Sequence, residues 1–143
     1  MERKEFLKTC GLACFGGAFA GSLLTACHSS KLINGEIANS NLVVPISSFV
    51  TKDKGFRKYV VVHNDLLEFP ICVYRISDTE YSALLMKCTH QGAELEVFGD
   101  RLVCPAHNSE FNKAGIVQNG PAETNLRKFP VTIQNDQIKI SLK

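Results

Sequence analysis

The chain has 143 residues, a formal net charge of only +2, no tryptophan and 45% hydrophobic residues. That length suits one domain, and the ordinary apolar content excludes disorder throughout. Scattered charges of near-zero sum lack the basic field that nucleic-acid binding requires, so no nucleic-acid partner is expected.

The chain opens on a charged stretch, Arg3-Lys4-Glu5-Phe6-Leu7-Lys8, followed by an uncharged, glycine- and alanine-rich run from Cys10 to Ala26. This is the layout of an export signal. At about 17 residues the run falls short of the roughly 20 that span a hydrocarbon core. It closes on Leu24-Thr25-Ala26-Cys27, which resembles the bacterial lipobox, where a peptidase cuts before a cysteine whose thiol carries a diacylglycerol. Residues 1–26 are therefore expected to be a cleaved signal peptide and Cys27 the lipidation site of a lipoprotein. The string Arg3-Lys4-x-Phe6-Leu7-Lys8 resembles the twin-arginine export signal with lysine as the second base, a route for proteins already folded around a metal centre. An uncleaved anchor helix is the alternative. Either reading places the domain outside the cytoplasm, in the periplasm or elsewhere in a bacterial cell envelope, against a membrane. Lipid chains rather than charge then hold it there, at about 0.8 kcal/mol per buried CH₂.

Residues 27–41 are mostly small and polar and are expected to be a tether. The domain proper is then 42–143. It begins with short runs rich in β-branched and aromatic residues: Leu42-Val43-Val44, Lys58-Tyr59-Val60-Val61-Val62, Pro70-Ile71-Cys72-Val73-Tyr74 and Tyr81-Ser82-Ala83-Leu84-Leu85. Turn signals at Asp53-Lys54-Gly55, Asn64-Asp65 and Ser77-Asp78 separate them. At the far end Val131/Ile133 and Ile138/Ile140/Leu142 alternate about Asn135-Asp136, which predicts a closing hairpin. No stretch carries a helical stripe over three turns, so the fold class is all-β, with a small sandwich or stacked sheets.

Six cysteines counted alone suggest a disulfide framework, but their placement divides them. Cys10, Cys14 and Cys27 lie in the leader. Cys72, between Ile71 and Val73, is expected to be a buried apolar residue, and His63 a strand-end histidine without a metal partner. Cys88-Thr89-His90 and Cys104-Pro105-Ala106-His107 remain, a C-x-H and a C-x-x-H separated by 13 residues. Two thiolates and two imidazoles suit a transition metal. Four such ligands can hold a structural zinc, yet zinc sites usually pair cysteine with cysteine at short spacing. One cysteine and one histidine from each loop suits a two-iron cluster instead. Between the pairs, Glu94–Val97 and Arg101–Val103 flank a Phe98-Gly99-Asp100 turn, so a hairpin brings the second loop back beside the first.

Cys88-Thr89-His90-Gln91-Gly92 and Cys104-Pro105-Ala106-His107-Asn108-Ser109 resemble the two cluster-binding loops of Rieske iron–sulfur proteins. Gly120-Pro121-Ala122 resembles that family's proline loop over the cluster. The likeness runs from about residue 42 to 143, with the cluster-binding part at about 87–122. It implies stacked antiparallel sheets with a two-loop cluster-binding subdomain and one [2Fe–2S] cluster. Cys88 and Cys104 would bind the inner iron, and His90 and His107 the outer one. Ser109 would donate a hydrogen bond towards a cluster sulfur. Three departures stand out: Ala93 and Ala106 occupy positions that carry a disulfide in high-potential members, Asn108 replaces the usual glycine, and Phe111 replaces a tyrosine. Asparagine tolerates positive φ better than other non-glycine residues, so the second loop is expected to keep its shape.

The resemblance implies a membrane-tethered electron-transfer protein, or a small electron-transfer subunit of an extracytoplasmic oxidoreductase, with no catalytic activity of its own and a redox protein as partner. A quinol-oxidising subunit of a respiratory cytochrome complex, with quinol as partner, is the alternative; a structural zinc domain is the non-redox one. Donors near the sulfurs raise a cluster's potential. Without the disulfide and the tyrosine hydroxyl, the potential should therefore lie below the top of the Rieske range of roughly −150 to +300 mV. Protein-film voltammetry giving a value near that upper limit would contradict this.

Overall fold

The computed structural model describes residues 31–143, so the export segment and Cys27 lie outside the described residues. In chain order the first strands are β1 (Leu32–Asn34), β2 (Glu36–Ala38), β3 (Asn41–Pro45), β4 (Tyr59–His63), β5 (Ile71–Arg75) and β6 (Tyr81–Leu85). There follow β7 (Glu96–Phe98), β8 (Arg101–Val103), β9 (Glu110–Asn112), β10 (Val117–Asn119), β11 (Lys128–Phe129), β12 (Val131–Gln134) and β13 (Gln137–Ser141). A single 3-10 turn, Ile46–Phe49, is the helical content among the described residues, and none of their helices is long and apolar enough to cross a membrane.

These strands make three sheets, ordered β1-β4-β5-β6-β11, β10-β9-β8-β7 and β12-β13-β3-β2. The first lies between the other two. Its middle strands are buried at every position except the last of each. Side chains alternate across a strand, so one face takes Tyr59, Val61, Cys72, Tyr74 and Leu84, and the other Val60, Val62, Ile71, Val73 and Ala83. Leu95, Leu102, Phe111 and Leu126 meet the first set, while Leu42, Val44, Phe49, Ile138 and Ile140 meet the second. Covering on both sides is why β4 and β5 read as nearly continuous apolar runs rather than as alternation. The expected all-β class with stacked sheets is thus observed. Pairing is antiparallel except where β1 lies parallel to β4.

Three hairpins close with two-residue turns, and in two of them both turn residues have positive φ. Asn135 and Asp136 (φ 52 and 58) join β12 to β13, and Asn39 and Ser40 (φ 51 and 64) join β2 to β3. Positive φ at both central positions is the type I′ turn, which matches strand twist and favours Asn and Asp. The Phe98-Gly99-Asp100 signal also marks a real hairpin, although its first strand starts at Glu96 rather than Glu94. Glu94 forms an isolated bridge with Lys87 instead.

The tether requires correction. Of residues 27–41, the stretch 32–38 belongs to the folded domain as β1 and β2. Ile33 and Ile37 pack against the second core cluster, but two isoleucines among polar neighbours are too sparse to read as a strand. Only residues 28–31 then separate Cys27 from the first strand.

The chain crosses from the central sheet to an outer one at Gly35, which is buried. Its N–H donates to the His63 carbonyl at 2.9 Å, and its own carbonyl accepts from Asn64 Nδ2 at 2.8 Å. A Cβ here would lie 2.6 Å from Val62 Cγ1 and 2.7 Å from Leu42 Cδ1, inside the second core cluster. Gly35→Ala should therefore cost about 1–3 kcal/mol through overpacking. Urea denaturation checks this, and an unchanged midpoint would mean that the layers have slack at this crossing.

Candidate metal centre

The two cysteine–histidine loops leave the same end of the domain and share one hydrogen-bonding scheme. In the first, the Cys88 N–H donates to the Ala93 carbonyl (2.8 Å) and the Gly92 N–H to the Cys88 carbonyl (2.8 Å). In the second, the Cys104 N–H donates to the Ser109 carbonyl (2.8 Å) and the Asn108 N–H to the Cys104 carbonyl (2.9 Å). The fourth residue after each cysteine has positive φ, 77° at Gly92 and 62° at Asn108. Each cysteine thus opens a closed turn whose return needs a left-handed residue. Asn108 keeps that conformation, as its side chain permits.

Burial separates the four donors by type. Cys88 and Cys104 are 2% and 0% exposed, sealed in the first core cluster among Leu95, Leu102, Phe111 and Ala122. His90 and His107 are exposed, their rings 4.8 Å apart between centroids and nearly perpendicular. Two unbridged thiols beneath two neighbouring imidazoles form a donor set suited to an iron–sulfur cluster with one sheltered and one solvent-facing end. The residues present therefore fit a [2Fe–2S] group.

A third loop joins them. Pro121 follows a cis peptide bond after Gly120, and the Ala122 N–H donates to Ser109 Oγ at 3.0 Å. Ser109 is wholly buried, so its hydroxyl fastens the proline loop to the second cysteine–histidine loop while keeping its own proton to give. Asn119 Nδ2 donates to the Asn108 carbonyl at 3.4 Å, and Thr89 Oγ1 to the Thr124 carbonyl at 2.7 Å. Thr89 thus ties the first loop to the chain just beyond Ala122. Nothing in sequence spacing marks this pair, because its members are 35 residues apart.

Cys72 does not join the site's donors. It is fully buried on the central sheet, and burial pushes its thiol well above the ordinary range despite a partly compensating Tyr74 hydroxyl. A thiol held protonated is a small apolar residue, as its sequence context suggests. His63 ends β4, half-buried. A cavity of about 450 Å³ beside the first loop, lined by Lys87, His90, Gln91, Thr124 and Arg127 among others, went unnoticed in the sequence. Lys87 and Arg127 rest over the rings of Phe69 (5.0 Å) and Phe129 (4.6 Å). Those contacts depend on packing between distant segments, which no local pattern reveals.

Comparison with known proteins agrees with this geometry. The family described as the Rieske [2Fe-2S] domain matches residues 47–130. Among curated proteins, the chain is 34% identical over 56 residues to the cytochrome b6-f complex iron-sulfur subunit of Prochlorococcus marinus, covering 38% of this chain and 32% of that one. It is 29% identical over 87 residues to the subunit of the same description in Cyanothece sp., covering 59% and 42%. The chain spans less than half the length of these relatives. Among solved structures, the cyanobacterial plasma membrane Rieske protein of Synechocystis PCC 6803 is similar in fold, with a TM-score of 0.51 and 24% identity over 59% of this chain and 86% of that one. With both cysteine–histidine loops and the proline loop inside a match that covers more than half of its length, the chain belongs to the Rieske [2Fe-2S] family.

Proposed function

We propose that this chain is an electron-transfer protein of the bacterial cell envelope, held to a membrane by lipid on Cys27. Cys88 and Cys104 hold the inner iron of one [2Fe–2S] cluster, and His90 and His107 the outer. The observation that carries this reading is the division of the donors, with both thiols sealed in the core and both imidazoles exposed side by side. The cluster supplies one-electron exchange. The chain supplies everything that makes such exchange specific. Leu95, Leu102 and Phe111 keep water from the sulfur side, and the exposed histidines give a partner protein its shortest approach. The nearby carboxylates have other roles: Glu110 pairs with Arg101 at 3.0 Å, and Glu94 and Glu96 lie exposed on strands or loops.

A second reading, a quinol-oxidising subunit of a cytochrome complex, is favoured by the description of the curated relatives. It requires the histidine face to meet the bilayer.

Purified protein should contain iron and acid-labile sulfide in equal amounts and give an EPR signal on reduction, lost in His90→Ala. Zinc in place of iron would overturn the proposal, since zinc gives neither colour nor signal. Ser109→Ala should act twice. It leaves the buried Ala122 N–H without an acceptor, at about 1–3 kcal/mol of stability, and removes a donor to the cluster, lowering its potential. A loss of stability at constant potential would restrict Ser109 to holding the proline loop.

A further inference from the structure

We propose that a groove running from His90 to Leu142 seats an acidic segment of the redox partner, whose carboxylates lie between Lys87 and Arg127, so that His90 rather than His107 is the histidine nearest the partner. The inference rests on the electron-transfer reading and adds to it the partner's chemistry.

Two cavities make the groove. One, of about 450 Å³ beside the first cysteine–histidine loop, takes in His90 and Gln91. The other, of about 310 Å³, continues along Leu66, Phe69, Phe129 and Leu142. Leu85, Lys87 and Arg127 line both and form the common wall, whereas His107 lines neither. Backbone pairing sets that wall. Leu85 is the last residue of β6 and only partly buried against the second core cluster. Its N–H donates to the Arg127 carbonyl at 3.0 Å, which places Arg127 beside it, and Lys87, two residues on, shares its side of the strand.

Both cations are held in place. Lys87 Nζ lies 5.0 Å from the Phe69 ring centre, and a Cβ on Gly92 would come within 3.2 Å of Lys87 Cε. The Arg127 guanidinium lies 4.6 Å from the Phe129 ring centre and donates to the Leu142 carbonyl at 3.4 Å. A ring face attracts a cation without neutralising it. Among the described residues neither group forms an ion pair. Three carboxylates sit on neighbouring segments, but Glu68 lines the second cavity alone, and Glu94 and Glu123 line neither. The first cavity thus presents two fixed positive charges and no negative one.

The second cavity decides what kind of anion fits. A small anion would fill the first cavity and leave the apolar continuation, with Leu66 82% exposed, in water. A protein segment with carboxylates next to apolar side chains matches both parts in order. Cations facing a partner's carboxylates steer its approach and fix its register. Because the groove flanks the first loop, its occupant meets the His90 ring.

The test mixes the full-length protein, its cluster reduced, in a stopped-flow instrument with either of two oxidised cytochromes c. One carries carboxylates around its haem edge and the other lysines. The proposal expects the acidic-edged cytochrome to be reduced about tenfold faster or more at low ionic strength, with the advantage shrinking as salt is added. Lys87→Gln/Arg127→Gln should abolish the preference and Lys87→Glu/Arg127→Glu reverse it. Lys52→Glu/Lys54→Glu makes the same charge change in the loop before β4, away from the end where Val62, Ile71 and Leu85 lie level, and should leave the preference in place. Carbodiimide coupling to the acidic-edged cytochrome should fall chiefly on Lys87. Equal rates for the two cytochromes, a preference lost alike in both reversed variants, or coupling chiefly to lysines outside the groove overturns the proposal. Rates that ignore salt and every substitution overturn the acidic partner and leave the groove to an uncharged ligand such as a quinol. EPR spectra and potentials of each variant show whether its cluster is intact and correct the rates for driving force. A wild-type protein with no cluster signal that reduces neither cytochrome overturns the electron-transfer reading itself.

Discussion

The central sheet is buried on both faces, and most of what positions the site follows from that. A strand presents successive side chains to opposite sides, so Val60 and Val62 serve one core while Tyr59 and Val61 serve the other. One outer sheet, with β3 and β13, builds the second core. The other, with β7 to β10, carries the two cysteine–histidine loops and presses their cysteines into the first. Cys88 and Cys104 thus share one apolar cluster with Cys72, Tyr74 and Leu84 of the sheet beneath. The donors' shelter is a consequence of layer packing, with no need for a dedicated pocket. A register slip of one residue in β4 or β5 would exchange the two cores and lift the site off its floor.

The site was legible in the sequence because its chemistry is local. A cysteine and a histidine two or three residues apart announce a loop that presents both, and the turn that closes the loop needs a residue tolerant of positive φ at a fixed offset. Gly92 meets that need without cost and Asn108 at small cost, which is why the glycine replacement leaves the second turn's hydrogen bonds in place. The strands were legible for the same reason. Val60 to Val62 and Ile71 to Tyr74 are short apolar runs between turn residues, and Asn135-Asp136 adopts the turn its composition favours.

What stayed hidden depends on partners far along the chain. β1 and β2 carry too few apolar residues to signal a strand. They are strands because the edge of β4 offers β1 its backbone groups and β3 offers β2 its own. Gly35 looks in sequence like a linker glycine, whereas in the fold it is the one residue type that fits between Val62 and Leu42. The Ser109–Ala122 and Thr89–Thr124 bonds that lash the three loops together span 13 and 35 residues. Short polar side chains in loops have many possible acceptors, so only the tertiary arrangement selects these.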